Sequence, residues 1–355
     1  MKRTMKKMVS MALTGTMAVA VLAGAGTSEV KAADKAKIGV LVADVSGEEA
    51  QGFRSYYENY IAGNYDVEFN YTDALQSAED EKTAIEKFAS QGCQAIISFS
   101  SNDRVQQIET CEKYGVYYAV ASGVLDDAQY ETYKTYEYFA GQVGPGNDTE
   151  FEAGKDMGAY YKEQGVSKVA IYGAFIPNPM HVYRVAGVLN GLGCTYGGES
   201  DMNAIAGQIF QDQTVDLSKV EGDVEVVSYL QGYGDTTTDE LNAAIQKTPD
   251  AFISVGMATT FFAQSLSEAG ISFSDIDSFT ETNGNSMKNG TLTYLAGKYS
   301  SSIGPVFALV MNAINGNVIR DEDGNAPSIS QGYLVATDSD TFDKYSVSDS
   351  GDAPI

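Results

Sequence analysis

The chain has 355 residues, of which 43% are apolar, and its 48 acidic residues outnumber 23 basic ones to give a formal charge of −25. This length and apolar content can fill one or two globular cores, and they exclude a disordered or collagen-like chain. A charge of this sign and size repels nucleic-acid phosphates and anionic membrane surfaces, so no nucleic-acid or membrane-surface partner is expected.

The N-terminus has the pattern of an export signal. Four basic side chains stand within the first seven residues, an apolar stretch follows over 8–25, and Val30 and Ala32 fit the small-residue pattern of a cleavage site. We therefore predict a Sec signal peptide over 1–32 and a periplasmic or extracellular mature chain. A transmembrane anchor is the alternative, but Ser and Thr interrupt the apolar stretch. Residues 22–24 precede Ala25 rather than a cysteine, so no lipid-attachment cysteine is predicted there.

Three cysteines, Cys93, Cys111 and Cys194, are too few and too odd in number for a disulfide scaffold. None stands at the spacing of a metal-ligand pair, and no metal or other cofactor is expected. Buried free thiols are the predicted state. A bridge between Cys93 and Cys111 is the alternative, if the first lies in a strand and the second late in the helix that returns beside it.

From residue 37 onward, short apolar runs alternate with amphipathic stretches. The runs predict strands covered on both faces, and the spacing of the stretches predicts helices. The predicted strands are 37–43, 67–71, 94–99, 116–121 and 136–143, and the predicted helices between them are 49–62, 78–90 and 103–114. Right-handed crossovers between such strands give a parallel sheet with helices on both faces.

The pattern starts again after the turn at 144–147. Strands are predicted at 168–174, 224–230, 251–255 and near 278, with helices at 149–164, 181–192, 238–247 and 259–269. A strand-like run at 290–296 and a helix over 303–316 follow, and together they are too small for a third domain. The sequence therefore predicts two similar α/β lobes in series.

This order of elements resembles the type 1 periplasmic binding proteins, the ribose- and galactose-binding class of ABC-transporter receptors. The resemblance is carried by the opening strand 37–40, the third strand 92–97, the crossover 141–147 and the tail 289–316. It implies an α/β fold of two doubly wound parallel-sheet lobes joined by a three-strand hinge. The expected N-terminal lobe is 36–145 plus 283–320, and the expected C-terminal lobe is 146–282 plus 328–345.

The resemblance also implies a function. A protein of this class is an extracytoplasmic solute-binding protein that captures a small polar ligand, with a carbohydrate favoured, by hinge closure. It delivers the ligand to an ABC permease, or the closed form is read by a membrane sensor, and a monomer is expected. A nucleoside or another small metabolite is the alternative ligand, because a tyrosine platform and a carboxylate suit a base and ribose as well as a sugar.

Ligands of open α/β sheets bind outside the carboxyl ends of the strands. Candidate ligand-binding residues therefore lie in the loops that follow the predicted strands and in the helix that begins near His181, and they are Asp44, Ser46, Asn102, Ser122, Phe175, Arg184, Tyr233, Met257, Glu281 and Tyr299. Tyr233, between two glycines, is the best candidate for a ring that stacks on the ligand. Asp44 is the candidate anchor for a hydroxyl or amine. The single histidine, His181, is either a pocket contact or a surface residue at a helix start.

An enzyme is the rival class. A dinucleotide-dependent oxidoreductase needs a glycine-rich turn after the first strand, and residues 43–47 do not provide it. The sequence also lacks a phosphate loop, a Gly-x-Ser-x-Gly elbow and a Cys/His metal set. We therefore expect no catalytic residues and no enzymatic activity.

Overall fold

The computed structural model describes residues 35–348. The predicted signal peptide and Ala25 lie outside the described residues. Over the part that is described, no helix is long and apolar enough to cross a membrane.

Strands and helices alternate in the first half of the described chain, as the apolar periodicity predicts. The elements are β1 (Ala36–Leu41), α1 (Glu48–Ser55), α2 (Ala62–Asn64), β2 (Val67–Tyr71), α3 (Ala78–Ser90), β3 (Ala95–Ser98), α4 (Arg104–Tyr114), β4 (Tyr117–Ala121), α5 (Asp127–Tyr133) and β5 (Phe139–Gly144). A π-helical segment, Tyr56–Ile61, joins α1 to α2. Polar side chains begin several of these helices: Ser77 caps α3, and Asp126 forms a capping box with Gln129 at α5.

The same alternation continues after residue 146. The elements are α6 (Asn147–Glu163), β6 (Lys168–Tyr172), α7 (Pro179–Gly191), β7 (Thr195–Tyr196), α8 (Met202–Asp212), β8 (Val220–Glu221), β9 (Glu225–Leu230), α9 (Asp235–Gln246), β10 (Ala251–Ser254), α10 (Ala258–Ala269), β11 (Ser272–Ser278), α11 (Glu281–Lys288) and β12 (Leu292–Lys298). The described chain closes with α12 (Gly304–Ile314), β13 (Ser328–Ser330), β14 (Leu334–Ala336) and α13 (Ser339–Ser348).

Two six-stranded sheets organise these elements into two lobes. The first has the order β13-β5-β4-β3-β1-β2, and all its strand pairs are parallel. The second has the order β14-β12-β11-β10-β6-β9, in which only β14 runs antiparallel to its neighbour. The predicted fold class, two doubly wound α/β lobes, is confirmed.

Each sheet is covered by helices on both faces. In the first lobe, one apolar layer contains Tyr57 and Val310, and the layer on the opposite face contains Ile85 and Ile108. In the second lobe, a single large cluster surrounds the sheet and includes fully buried Tyr172 and Phe252. Burial of both faces explains why the central strands are continuous apolar runs rather than alternating ones.

The expected lobe boundaries need a correction in the last third of the chain. Residues 283–320 were assigned to the first lobe, but β12 pairs with β11 in the second sheet, with Ser278 opposite Lys298. Conversely, β13 was assigned to the second lobe, but it pairs with β5 in the first sheet. The reason is that β11, α11 and β12 form one more strand–helix–strand crossover, which keeps the chain in the second sheet until residue 298.

The chain consequently passes between the sheets three times: after β5, between β12 and α12, and between β13 and β14. Helix α12 packs on β3, β4 and β5 of the first sheet. At the first and third crossings, the hydroxyls of Thr149 and Ser330 are 2.7 Å apart.

The three cysteines are free and buried. The predicted state is therefore confirmed, and the alternative bridge between Cys93 and Cys111 is not formed. Burial raises the pKa of the Cys93 thiol to about 11, so this thiol stays protonated near neutral pH.

Candidate functional site

A cleft with a volume of about 1080 Å³ lies between the two lobes. On the first-lobe side, its lining includes residues at and after the ends of β1 to β5, in the segments 42–45, 71–72, 99–104, 122–130 and 142–146; residues 147–150, the first turn of α6, lie on the second-lobe side. On the second-lobe side, the first turns of α7 and residues of α8 complete it. The carboxyl ends of the first-lobe strands thus face the second lobe across a cavity large enough for a small ligand.

The turn after β1 brings two predicted residues together at the rim of this cleft. The Asp44 carboxylate accepts hydrogen bonds from the backbone N–H of Ser46 at 2.9 Å and of Gly47 at 3.0 Å, and the Ser46 hydroxyl also donates to it at 3.1 Å. The hydrogen bond from the Ser46 backbone is the main reason why the pKa of Asp44 is lowered. Asp44 lines the cleft as an ionised carboxylate, and Ser46 holds it in place.

The loop after β3 is organised by a buried carboxylate that the sequence prediction missed. One Glu81 oxygen accepts hydrogen bonds from Ser100 Oγ at 2.5 Å and from the Asn102 backbone at 2.9 Å and amide side chain at 3.0 Å. The other oxygen accepts from the Asp103 N–H at 3.0 Å. Burial alone would raise the pKa of Glu81, but these hydrogen bonds hold it below its ordinary value. Asn102 lines the cleft, and its amide nitrogen is already engaged by Glu81.

The loop after β4 carries Ser122, which also lines the cleft and has φ 55°, a left-handed conformation. Next to it, the Arg104 guanidinium lies over Gly123 and donates to the Val124 carbonyl oxygen at 2.6 Å. A Cβ at Gly123 would lie 2.7 Å from Arg104 Nη2, so glycine leaves the room that this cation occupies. Arg104 is a cleft residue that the sequence analysis did not single out.

Two further non-glycine residues with positive φ stand at the equivalent edge of the second sheet. Ala174, with φ 51°, follows β6, and Met257, with φ 69°, follows β10. Strained backbone of this kind clusters where surrounding structure fixes a loop for binding or catalysis. Its occurrence after strands of both lobes makes these two sheet edges the candidate functional region.

The rings of Phe175, Tyr233 and Phe261, together with the Met257 side chain, form an aromatic wall at the carboxyl edge of the second sheet, outside the residues that line the 1080 Å³ cavity. Tyr233 is 70% exposed, and Phe261 and Met257 are exposed by 39% and 38%. The Tyr233 ring meets Phe175 edge-on at 5.5 Å between centroids and lies parallel to Phe261 at 6.2 Å. The wall follows β6, β9 and β10, which are neighbours in the second sheet. Phe261 is the one member that the sequence analysis missed.

Arg184, a predicted ligand contact, is instead a buried structural residue. Its Nε donates to Glu150 at 2.6 Å, its Nη2 to the Tyr333 hydroxyl at 2.6 Å and its Nη1 to the Val255 carbonyl oxygen at 2.8 Å. Burial alone would lower the pKa of Arg184, but the charge of Glu150 raises it above its usual value. The guanidinium ties α6, α7, the end of β10 and the third crossing together.

His181 is neither a pocket contact nor a surface residue. It is 5% exposed, and its Nδ1 lies 3.1 Å from the Phe175 backbone nitrogen, which donates to it. Burial, reinforced by the Arg184 charge, lowers the pKa of His181 to about 3, so the imidazole is neutral. It supports the loop that carries Phe175.

At the floor of the cleft, the Glu49 carboxylate reaches across to the second lobe. It accepts a hydrogen bond from Ser278 Oγ at 2.5 Å and lies 3.3 Å from Lys298 Nζ. Behind this bridge lies a second cavity of about 410 Å³, and two predicted residues, Glu281 and Tyr299, line it. Burial raises the pKa of Asp275 to about 8 and that of Asp277 to about 6, with nearby carboxylates adding to both shifts.

The predicted site residues therefore fall into four groups. Asp44, Asn102 and Ser122 line the main cleft, with Ser46 supporting the first of them. Phe175, Tyr233 and Met257 form the aromatic wall, Glu281 and Tyr299 line the second cavity, and Arg184 is buried within the second lobe. Across residues 35–348, no His, Cys, Asp and Glu side chains gather in a group able to hold a metal ion.

No protein-family profile matches this chain, and no curated protein matches it. Several solved structures are similar to it in fold. An ABC transporter solute-binding protein from Bacillus halodurans C-125 with bound myo-inositol is 16% identical, with a TM-score of 0.62 over 90% of this chain and 99% of that one.

Two other solved structures are similar to the same degree. The arabinose-transporter binding protein of Shewanella sp. ANA-3 is 16% identical over 88% of this chain and 95% of its own, with a TM-score of 0.62. A periplasmic solute-binding protein from Actinobacillus succinogenes 130z with bound D-allose is 15% identical over 88% of this chain and 100% of its own, with a TM-score of 0.63. The chain has the two-lobed fold of the type 1 periplasmic binding proteins, as its order of strands and helices predicted.

Proposed function

We propose that this protein is an extracytoplasmic solute-binding protein that captures a small carbohydrate between its lobes and delivers it to an ABC permease. The observation that carries the proposal is the presence of two unlike surfaces at the carboxyl ends of the strands of the two sheets. The first-lobe wall is polar and includes Asp44, Asn102 and Ser122. The second lobe presents the exposed aromatic wall around Tyr233.

This pairing suits the surface chemistry of a sugar. Hydroxyl groups around the ring need hydrogen-bond donors and acceptors, which ionised and amide side chains supply. The C–H face of the ring is apolar and packs on an aromatic ring, which gains from burial. We therefore infer that closure of the lobes brings the aromatic wall against a ligand held by the polar wall, which meets both demands of one small molecule.

The similar structures support this ligand class. Those of Bacillus halodurans, Shewanella and Actinobacillus hold myo-inositol, arabinofuranose and D-allose, all of them small polyhydroxylated rings. Their transporter context supports the permease as partner and a location outside the cytoplasm. Closure follows from the architecture, because a ligand that contacts both walls favours the state in which the walls approach each other.

The first experiment is a thermal-shift screen of the chain from residue 33 onward against sugars, polyols, nucleosides and amino acids. A ligand that binds only the native state raises the melting temperature, and calorimetry then measures its dissociation constant. We expect a sugar or cyclic polyol to give the largest shift. A shift with nucleosides alone would replace the carbohydrate by a base-and-ribose ligand. A shift with NAD(H) alone, followed by turnover, would overturn the receptor assignment.

A further inference from the structure

Two consecutive carboxylates at the start of α1 connect the first lobe to the second. Glu49 accepts a hydrogen bond from Ser278 Oγ at 2.5 Å and lies 3.3 Å from Lys298 Nζ. Its neighbour Glu48 accepts from Thr282 Oγ1 at 2.9 Å. Helix α1 belongs to the first lobe, whereas Ser278 ends β11, Lys298 ends β12 and Thr282 lies in α11. These contacts therefore span the gap between the lobes.

The position of these contacts relates them to lobe movement. Glu49 and Lys298 line both the main cleft and the second cavity, so their ion pair forms the partition between the two. Lys298 is also the last residue before the chain crosses from the second sheet to α12. A bridge beside a crossing restrains the separation of the lobes without filling the ligand space.

Charged groups from several elements face this bridge. Lys298 on β12 and, at longer range, Arg184 on α7 favour the ionised form of Glu49. Asp277 on β11 lies near both Glu49 and Lys298, and its carboxylate accepts a hydrogen bond from Asn283 Nδ2 on α11 at 3.3 Å. Asp275 lies on the same face of β11 and is hydrogen-bonded to Ser254 and to the Thr259 N–H. Glu49 and Asp277 are thus two carboxylates near one ammonium group.

We propose that the Glu48–Glu49 contacts form a latch that holds the lobes of the ligand-free protein at a fixed separation and tightens as the pH falls from 7 to 5. The proposal concerns regulation of the cleft to which the proposed function assigns ligand capture. It rests on contacts that require no ligand.

The direction of the pH response follows from the two carboxylates. Burial and the Glu49 charge raise the pKa of Asp277 to about 6, so Asp277 takes up a proton between pH 7 and pH 5. Burial would raise the pKa of Glu49 too, but the Lys298 charge and the Ser278 hydrogen bond hold it below its usual value, so Glu49 stays ionised. Protonation of Asp277 therefore removes its charge repulsion with Glu49. It also ends the competition between Asp277 and Glu49 for the Lys298 ammonium group, so the Glu49–Lys298 ion pair becomes stronger. The protonation states of Asp275 and His181 change little between pH 7 and pH 5, because their pKa values are about 8 and about 3.

The test is single-molecule FRET between dyes on introduced cysteines, one per lobe, at the exposed positions Lys87→Cys and Glu268→Cys. The native cysteines are buried, which favours labelling at these two sites. In the ligand-free protein we expect a narrower distance distribution at pH 5 than at pH 7. Glu49→Gln should broaden the distribution at both pH values and abolish their difference. Asp277→Asn should give the pH 5 distribution already at pH 7.

The control is Glu152→Gln, the same chemical change at an exposed ion pair with Lys155 inside α6, and it should leave both distributions unchanged. If Glu49→Gln does not fold, Ser278→Ala removes one hydrogen bond from the bridge and should still broaden the distribution. Parent-like distributions in Glu49→Gln or Ser278→Ala, or an unaltered pH response in Asp277→Asn, would overturn the latch. No ligand is present in these measurements, so a failed sugar screen would sink the proposed function and leave this result standing.

Discussion

Tyr233 combines high exposure with few stabilising contacts, an unusual combination for a large aromatic side chain. Its ring is 70% exposed, and it meets Phe175 edge-on and lies parallel to Phe261. We predict that Tyr233→Ala weakens binding of the sugar identified by the screen at least tenfold, because the stacking surface is lost. The free energy of unfolding should change by less than about 0.5 kcal/mol, as for other exposed positions.

Calorimetry and urea unfolding measure these two effects separately. Tyr114→Ala, which removes a 42% exposed tyrosine from the far end of α4, is the matched control and should leave affinity unchanged. An equal loss of stability and affinity in Tyr233→Ala would mean that the ring belongs to the core of the second lobe.

Substitution of Arg184 can distinguish a ligand-binding role from a structural role. Its guanidinium and the Glu150 carboxylate are 3% and 4% exposed, so removal of one partner leaves a buried charge without compensation. Arg184→Met should lower the free energy of unfolding by about 3–5 kcal/mol. Urea unfolding measures this, and Lys155→Met, which breaks an exposed pair, should cost less than about 1 kcal/mol. A fully stable Arg184→Met variant that no longer binds ligand would restore the role predicted from the sequence.

The sequence located the candidate site by loop, and only partly by residue. Tyr233 and Asp44 could be found because glycines or a strand end mark their loops. Arg104 and Phe261 could not, because they are the first residue of α4 and the fourth of α10, and only folding brings Arg104 to the cleft and Phe261 against Tyr233. Glu81 lies in the first turn of α3, 19 residues before the serine that it binds, and nothing local marks it as buried. Residues that are distant in the sequence and come into contact only on folding produce no recognisable sequence motif.

At the scale of elements, the packing of α6 against α7 depends on glycine. A Cβ on Gly187 would overlap the Phe151 carbonyl oxygen, and one on Gly191 would overlap that of Lys155. Gly187→Ala should therefore force the helices apart and destabilise the protein by about 1–3 kcal/mol, despite the better helix propensity of alanine.

Gly207→Ala in α8 is the matched control, because an added Cβ there meets nothing within 4 Å. It should stabilise the protein by roughly 0.5–1 kcal/mol through helix propensity alone. Urea unfolding of both variants gives the comparison. Equal effects of the two substitutions would contradict close helix packing at Gly187.

Strands and helices with a clear pattern of apolar residues could be predicted from the sequence, whereas a strand rich in polar residues could not. The central strands β3, β6 and β10 lie within the runs predicted for them, and β1 begins one residue before its predicted run. Strand β11 was read only as a run near residue 278, because its sequence, Ser272–Ser278, contains two aspartates and three serines. Asp275 is nevertheless buried, since Ser254 and the Thr259 N–H hydrogen-bond to it. The error in the lobe boundary has another origin: residue 283 was taken from the resemblance, whereas β12 pairs with β11 and keeps the chain in the second sheet to residue 298.

For the whole molecule, the three crossings explain how two separate cores are held together. The apolar side chains of each lobe are buried within that lobe, so little apolar surface is buried between the lobes. Polar contacts near the crossings, such as Thr149 with Ser330 and Glu49 with Lys298, join them instead. Polar contacts between lobes exchange readily with water, which leaves the lobes free to change their separation.

Buried Asp275 makes the stability of the whole molecule depend on pH near neutrality. Its pKa is raised from 3.8 to about 8, chiefly by burial, so the folded protein retains a proton that the unfolded chain has already lost at pH 7. The unfolded state then binds fewer protons, and the free energy of unfolding must fall as the pH rises through 7 and level off above 8. Between pH 7 and pH 8 we expect a loss of about 1 kcal/mol. Asp277 and His181 contribute little there, because their folded-state pKa values of about 6 and about 3 lie below this range.

Urea unfolding at pH 7.0, 7.5 and 8.0 measures this slope, and Asp275→Asn should flatten it because asparagine carries no titrating proton. The variant should also be less stable at every pH, since the asparagine NH₂ cannot accept the hydrogen bond that the Thr259 N–H now donates. Asp239→Asn, at an exposed position of α9, should keep the parental slope. A parent protein whose stability is constant or rises from pH 7 to pH 8 would show that Asp275 is ionised in the fold. The carboxylate pair of β11 would then need a counter-charge beyond Lys298.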